Sequence, residues 1–203
     1  QAKSSIETLD LSCLGLDFMG EIRGQGVEGF DFSEFISLKT LVMKQSRGVT
    51  ANLFNTIPLK AKSSIEILDL SFLGSYMMYI DGEALIMQDA GVAGFDFSEF
   101  TALRELRLSG VYQFTAAQFN AISENAKCSI RILDLSEINV TGFDFSGFTG
   151  LKEVNLSLSI GLTAMALNSM SEDSKESMES FNLSHTGVDL SDLSGFTNLK
   201  PHT

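Results

Sequence analysis

Ser184 and His185 put a hydroxyl beside an imidazole, the raw material of a nucleophile and its base. Such a pair works only when the two side chains face each other and a third group orients the ring. Neighbours on an extended strand point to opposite faces, and the only other histidine, His202, lies one residue from the C-terminus. The string Gly24-x-Gly26-x-x-Gly29 matches a dinucleotide fingerprint in letters alone. That fingerprint needs a strand before it and a helix opening from it. Here it runs into FDFSEF, a turn sequence that recurs elsewhere without the glycines. Asp10, Asp69 and Asp134 recur like metal ligands, but they fall on every other strand-like segment. At ~4.8 Å per strand they stand ~9–10 Å apart, too far to share one ion. GxxxxGK[ST], HExxH, GxSxG, CxxC and EF-hand patterns are absent, and Cys13 and Cys128 occupy different places in the pattern, which favours free thiols over the alternative of a disulfide. The expectation is a non-enzyme with no metal and no cofactor.

The elements that carry these residues are repeats. One kind of unit opens SIETLDLS (5–12), SIEILDLS (64–71), SIRILDLS (129–136) and SMESFNLS (177–184), and closes FDFSEF, FDFSEF, FDFSGF and SDLSGF. The other opens ISLKTLVM (36–43), TALRELRL (101–108) and TGLKEVNL (149–156), then runs through VTANLFNTI, FTAAQFNAI and LTAMALNSM. The two kinds alternate strictly over 5–35, 36–63, 64–100, 101–128, 129–148, 149–176 and 177–196, with a partial unit at 197–203. Units of the second kind are 28 residues each; the shortest of the first kind are 20, and those at 5–35 and 64–100 carry insertions of 11 and 17.

Numbering the openers from Ile6, Leu38, Ile65, Leu103, Ile130, Leu151 and Met178, positions 1, 4 and 6 are apolar, as at Ile130, Leu133 and Leu135. Positions 4 and 6 share one side of a strand and position 5 points the other way. In second-kind units Thr50, Thr115 and Thr163 precede apolar residues at helical spacing and read as N-caps. In first-kind units Ser33, Ser98, Ser146 and Ser194 are expected to cap a single 3₁₀-like turn. Phe35, Phe100, Phe148 and Phe196 hold one repeat position, which predicts an interior column. A strand, a crossover and the next parallel strand, repeated, build a right-handed α/β solenoid.

The LxxLxL phrases, such as Leu103, Leu106 and Leu108, resemble the leucine-rich-repeat family over essentially the whole chain. The segment VDLSDLSGFTNLK at 188–200 resembles the short-turn repeats of bacterial surface proteins of that family, and the 28-residue units resemble its helical type. The resemblance implies a parallel sheet on a concave face, short helices and turns on the convex side, and protein binding. One departure is clear: the family's Asn at position 9 is replaced by Leu14, Ser46, Leu73, Val111, Ile138, Ser159 and Thr186. Backbone or Ser/Thr groups must take over the hydrogen bonds that Asn would make.

Charge narrows the partner. With 14 Lys and Arg against 26 Asp and Glu the net charge is −12, which argues against nucleic acid and anionic membrane. No apolar run approaches the ~18–20 residues that span a bilayer. The insertion at 74–90 contains Tyr76, Met78 and Tyr79, with Asp81-Gly82 between two β-prone runs, a strong hairpin signal. The insertion around Phe18 and Met19 predicts a smaller version. Met and aromatic side chains adapt to and anchor interfaces, so these five residues are the first candidate contacts for a protein partner. Asp69, Arg104, Arg107 and Asp134 on the concave face are the second, against a plainer expectation that Asp69, Arg107 and Asp134 simply pair across strands. The first residues match the end of a second-kind unit and the last match the start of one, so a segment of a longer protein is expected. The alternatives are a spacer or end-to-end assembly, and the recognition part of a bacterial effector.

Overall fold

The computed structural model describes residues 3–16, 26–80, 83–88, 91–189, 191 and 193–198, with backbone alone for 76–80 and 83–88. Among the described residues nine strands form: β1 (Thr8–Asp10), β2 (Thr40–Val42), β3 (Ile67–Asp69), β4 (Ser75–Ile80), β5 (Glu83–Gln88), β6 (Glu105–Arg107), β7 (Ile132–Asp134), β8 (Glu153–Asn155) and β9 (Ser180–Asn182). Seven make one all-parallel sheet in the order β1-β2-β3-β6-β7-β8-β9, and β4 and β5 make a separate antiparallel pair. Outside that pair, sheet order is chain order. The register aligns position 4 of every opener: Leu9, Leu41, Leu68, Leu106, Leu133, Val154 and Phe181 form one row. From Leu41 onward the row is buried, with position 6 beside it from Leu11 to Leu156.

In five of the seven sheet strands a D/N-L-S phrase turns the chain out after three residues; β2 and β6 lack the Asp or Asn. The Ser12, Ser71 and Ser136 N–H groups donate to Asp10, Asp69 and Asp134 Oδ1 at 2.9, 2.9 and 3.0 Å. Ser157 and Ser184 donate likewise to Asn155 and Asn182 at 3.2 and 3.1 Å. The next residue is then left-handed: Cys13, Phe72, Glu137, Leu158 and His185 all have φ between 55° and 61°. This side-chain turn substitutes for a continuing ladder.

Between strands the two kinds of unit differ. Second-kind units hold two short helices: α1 (Ala51–Asn55) and α2 (Leu59–Lys62), α3 (Ala116–Asn120) and α4 (Glu124–Ser129), and α5 (Ala164–Asn168) and α6 (Glu172–Ser177). Thr50, Thr115 and Thr163 cap the first of each pair, accepting from the N–H three residues on at 3.2–3.3 Å. The second helix lacks a sequence signal of comparable length; Ser123 and Ser171 cap it in two units. In first-kind units the expected roles of Ser and Asp are reversed. Asp31, Asp96 and Asp144 accept from the Ser33, Ser98 and Ser146 N–H at 2.9 Å. A single turn follows, closed by Phe35, Phe100 and Phe148 N–H to the carbonyls of Phe32, Phe97 and Phe145.

Phenylalanines lock one kind of unit to the other. The Phe54 ring on α1 stacks on Phe95 at 4.1 Å and on Phe100 at 5.5 Å. Phe119 on α3 repeats this with Phe143 at 4.4 Å and Phe148 at 5.2 Å. Asparagines at the same helix ends add a polar tie. Asn55 Nδ2 donates to the Gly94 carbonyl at 3.2 Å and its Oδ1 accepts from Asp96 N–H at 3.1 Å; Asn120 does the same with Gly142 and Asp144. At position 9, buried Ser46 Oγ donates to the Leu11 carbonyl and Ser159 Oγ to that of Leu135, the latter at 2.6 Å. Among the described residues no helix is long and apolar enough to cross a membrane.

Candidate functional site

Alternation along each strand brings positions 3 and 5 to the face opposite the buried row. Across the sheet these positions hold Asp10, Asp69, Glu105, Asp134 and Glu153, with Arg107 as the one base. The register sets Arg107 between Asp69 and Asp134 on adjacent strands, so three predicted contact residues do meet. Their bonding differs from the cross-strand pairing expected. Arg107 Nε donates to Glu105 on its own strand, while Asp69 and Asp134 are occupied by the turns that follow them. Burial pulls the Arg107 pKa down, but the bond and charge of Glu105 and the fields of Asp69 and Asp134 outweigh it and leave it raised. A depression of about 270 Å³ runs over this face beside Arg107, Asp134, Glu153, Asn155 and Asn182.

The cross-strand ion pairs lie one row away, at position 2. Lys39 meets Glu7 at 2.9 Å, Arg104 meets Glu66 at 3.2 Å and Lys152 meets Glu179 at 2.6 Å. These are exposed pairs, worth ~0–1 kcal/mol each. Arg104 is therefore tied to Glu66, in a separate group from Arg107. Arg131 breaks the alternation: its Nη1 donates to the Cys128 carbonyl at 2.8 Å, and a Cβ at Gly150 would sit 1.7 Å from that nitrogen.

The hairpin of β4 and β5 pairs Ser75 with Gln88 through Ile80 with Glu83, placing Tyr76 opposite Met87, Met78 opposite Leu85 and Tyr79 opposite Ala84. Phe18 and Met19, like Asp81 and Gly82, lie outside the described residues. A Cβ on Gly26 would come 2.3 Å from the Arg47 carbonyl oxygen, so that glycine permits a close backbone approach. His185 is exposed and left-handed, and the Ser184 N–H is spent on Asn182.

Sequence reasoning passed over Glu105 and Glu153, although simple alternation places position 3 beside position 5. It also passed over Tyr112, Leu158 and Ile160, which stand exposed on the loops leaving the strands. Their signal was apolar type at places where sister units carry Glu137, Asn139 or His185. No protein-family model matches this chain, and no curated protein matches it.

Proposed function

We propose that the chain is a leucine-rich-repeat recognition module, a right-handed solenoid that binds a protein partner and carries out no catalysis. The observation that carries this reading is the hairpin β4–β5. Unit 129–148 forms the same strand, the same turn and the same phenylalanine stack without any such insertion, so the fold does not require those residues. An element that a sister unit does without, and that is rich in Tyr and Met, suits partner contact. Tyr76, Met78 and Tyr79, with Phe18 and Met19 of the other insertion, are the leading contacts. Asp69, Arg107 and Asp134 are the sheet-face contacts, with Arg104 at their edge.

The test is affinity capture from an extract, comparing the intact chain with one in which residues 74–90 are replaced by the turn of unit 129–148. Loss of a captured protein supports hairpin recognition. Retention moves recognition to the sheet face, where charge reversal at Arg107 is the next variant. No capture by either form, together with a mass that grows with concentration in light scattering, favours the structural reading of a self-assembling or spacer segment.

A further inference from the structure

An apolar depression of about 480 Å³ opens on the flank where the chain leaves the carboxyl ends of the strands, lined by Tyr112, Glu137, Ile138, Asn139, Leu158 and Ile160. Three successive units contribute to it. Tyr112 is 49% exposed, Leu158 52% and Ile160 64%, and none of the three belongs to the packed core, which keeps only Ile138. Leu158 is the informative member. It has φ 59°, a left-handed conformation unfavourable for an ordinary side chain, and it leaves its side chain half exposed to water. Among the equivalent residues Gln45, Glu137 and His185 are polar, Gly110 would relieve the backbone, and Phe72, the large apolar one, is half-buried where Leu158 is exposed. Neither packing nor turn geometry calls for leucine here.

The charge beside the depression is mainly negative. Glu137 lies on its rim, and Asp134 and Glu153, with Arg107, line the depression on the sheet face. Asn155 and Leu158 are three residues apart, as are Asp134 and Glu137, so floor and flank lie within about 10 Å of each other along the backbone. Arg107, the one base lining that depression, is held by Glu105. An apolar flank therefore meets an acidic floor at one corner of a chain whose net charge is −12. A nucleic acid or an acidic peptide would be repelled there.

We propose that this corner binds a basic amphipathic segment of a protein partner. Its aliphatic or aromatic side chains fill the depression over Leu158 and Ile160, and its Lys or Arg side chains reach Glu137, Asp134 and Glu153. This rests on the protein-recognition reading above and specifies the partner's chemistry.

The probe is a short fluorescent peptide of leucine and lysine at helical spacing, with a leucine–glutamate peptide as its counterpart, read by anisotropy at low and high salt. Two variants test the corner, Leu158→Ser with Ile160→Ser and Glu137→Gln with Glu153→Gln. Two test the rest of the surface: Met165→Ser, an 83% exposed methionine on α5, and Asp173→Asn on α6. All six positions have partly or fully exposed side chains, and circular dichroism checks that each variant keeps the parent fold. The expected result is binding of the lysine peptide alone, weakened about tenfold or more by either corner variant, a loss of about 1.4 kcal/mol, and unmoved by the controls. Equal weakening by the controls, no weakening by the corner variants, equal binding of the glutamate peptide, or no binding at all would each overturn the proposal. The hairpin-replacement capture stands apart from these outcomes, so a negative result here leaves protein recognition itself to be judged there.

Discussion

Units 64–100 and 129–148 are nearly the same unit twice. Their openers differ by one residue, Glu66 against Arg131, and their closing phrases by another, Glu99 against Gly147. Leu68 and Leu133 occupy one row of the sheet, and each unit receives a ring from the preceding helix, Phe54 or Phe119. Yet one unit carries the hairpin and the other passes straight from Thr141 to Phe143. The comparison separates what the chain needs to fold from what it carries in addition. It also explains the small differences. Lys127 folds against Glu124 at 2.9 Å, and a Cβ at Gly147 would come 2.9 Å from the Lys127 Cδ. Where α2 has Leu59 in place of Glu124, the following turn has Glu99 in place of glycine.

The hardest challenge to this equivalence is to remove both rings. Phe54→Ala and Phe119→Ala each delete a fully buried ring with two stacked partners. Each is expected to cost about 3–5 kcal/mol in urea unfolding, the two agreeing within about 1 kcal/mol. A much larger loss at Phe54 would mean that the hairpin unit depends on its stack in a way its sister does not. Asn55→Ala and Asn120→Ala are the milder matched pair. Each removes one donated and one accepted hydrogen bond at the exposed back of the structure, with an expected cost of about 1–2 kcal/mol. Replacing 74–90 by the short turn should change stability by less than about 1 kcal/mol, because loop length alone contributes weakly. A larger loss would show the hairpin to be part of the fold.

The periodicity of the openers was enough to place seven parallel strands, and the Asp81-Gly82 signal was enough to place the hairpin, because both depend on local patterns of type and spacing. Thr50, Thr115 and Thr163 announced their helices for the same reason. What stayed hidden depends on partners distant in sequence. Asn55 looks like any helix-end residue until Gly94 and Asp96 are brought to it, some 40 residues later. The FDFSEF turns were legible as turns, but which side chain caps them is a matter of backbone geometry: Asp at the first place accepts, and Ser two residues on donates through its N–H. For the surface, knowing that position 5 faces outward was not enough, since Asp69 and Asp134 serve their own turns and leave Arg107 to Glu105.

The same capping aspartates give the finest test of the two units. Asp96 and Asp144 stand at equivalent places, and each has its pKa lowered by the backbone N–H and then the side chain of Ser98 or Ser146; partial burial opposes this, and Lys62 or Lys127 assists it. A carboxylate held below its unfolded value favours the folded state at neutral pH. That contribution is fully present above the unfolded pKa, near 3.9, and is lost as pH falls through it towards the folded value. Asparagine keeps an acceptor oxygen but does not titrate, so Asp96→Asn and Asp144→Asn should fold at neutral pH and lose a little less stability than the parent below about pH 4. Urea midpoints from neutral to about pH 3 measure the difference. Because both side chains are largely exposed, the effect is small, and the two variants should match. If Asp144→Asn flattens the acid limb and Asp96→Asn does not, the lysines set them apart. Lys127 is tied to Glu124, whereas the place equivalent to Glu124 three residues before Lys62 holds Leu59, so unequal titration would locate the difference between the units in the helix before the turn and leave the hairpin out of it.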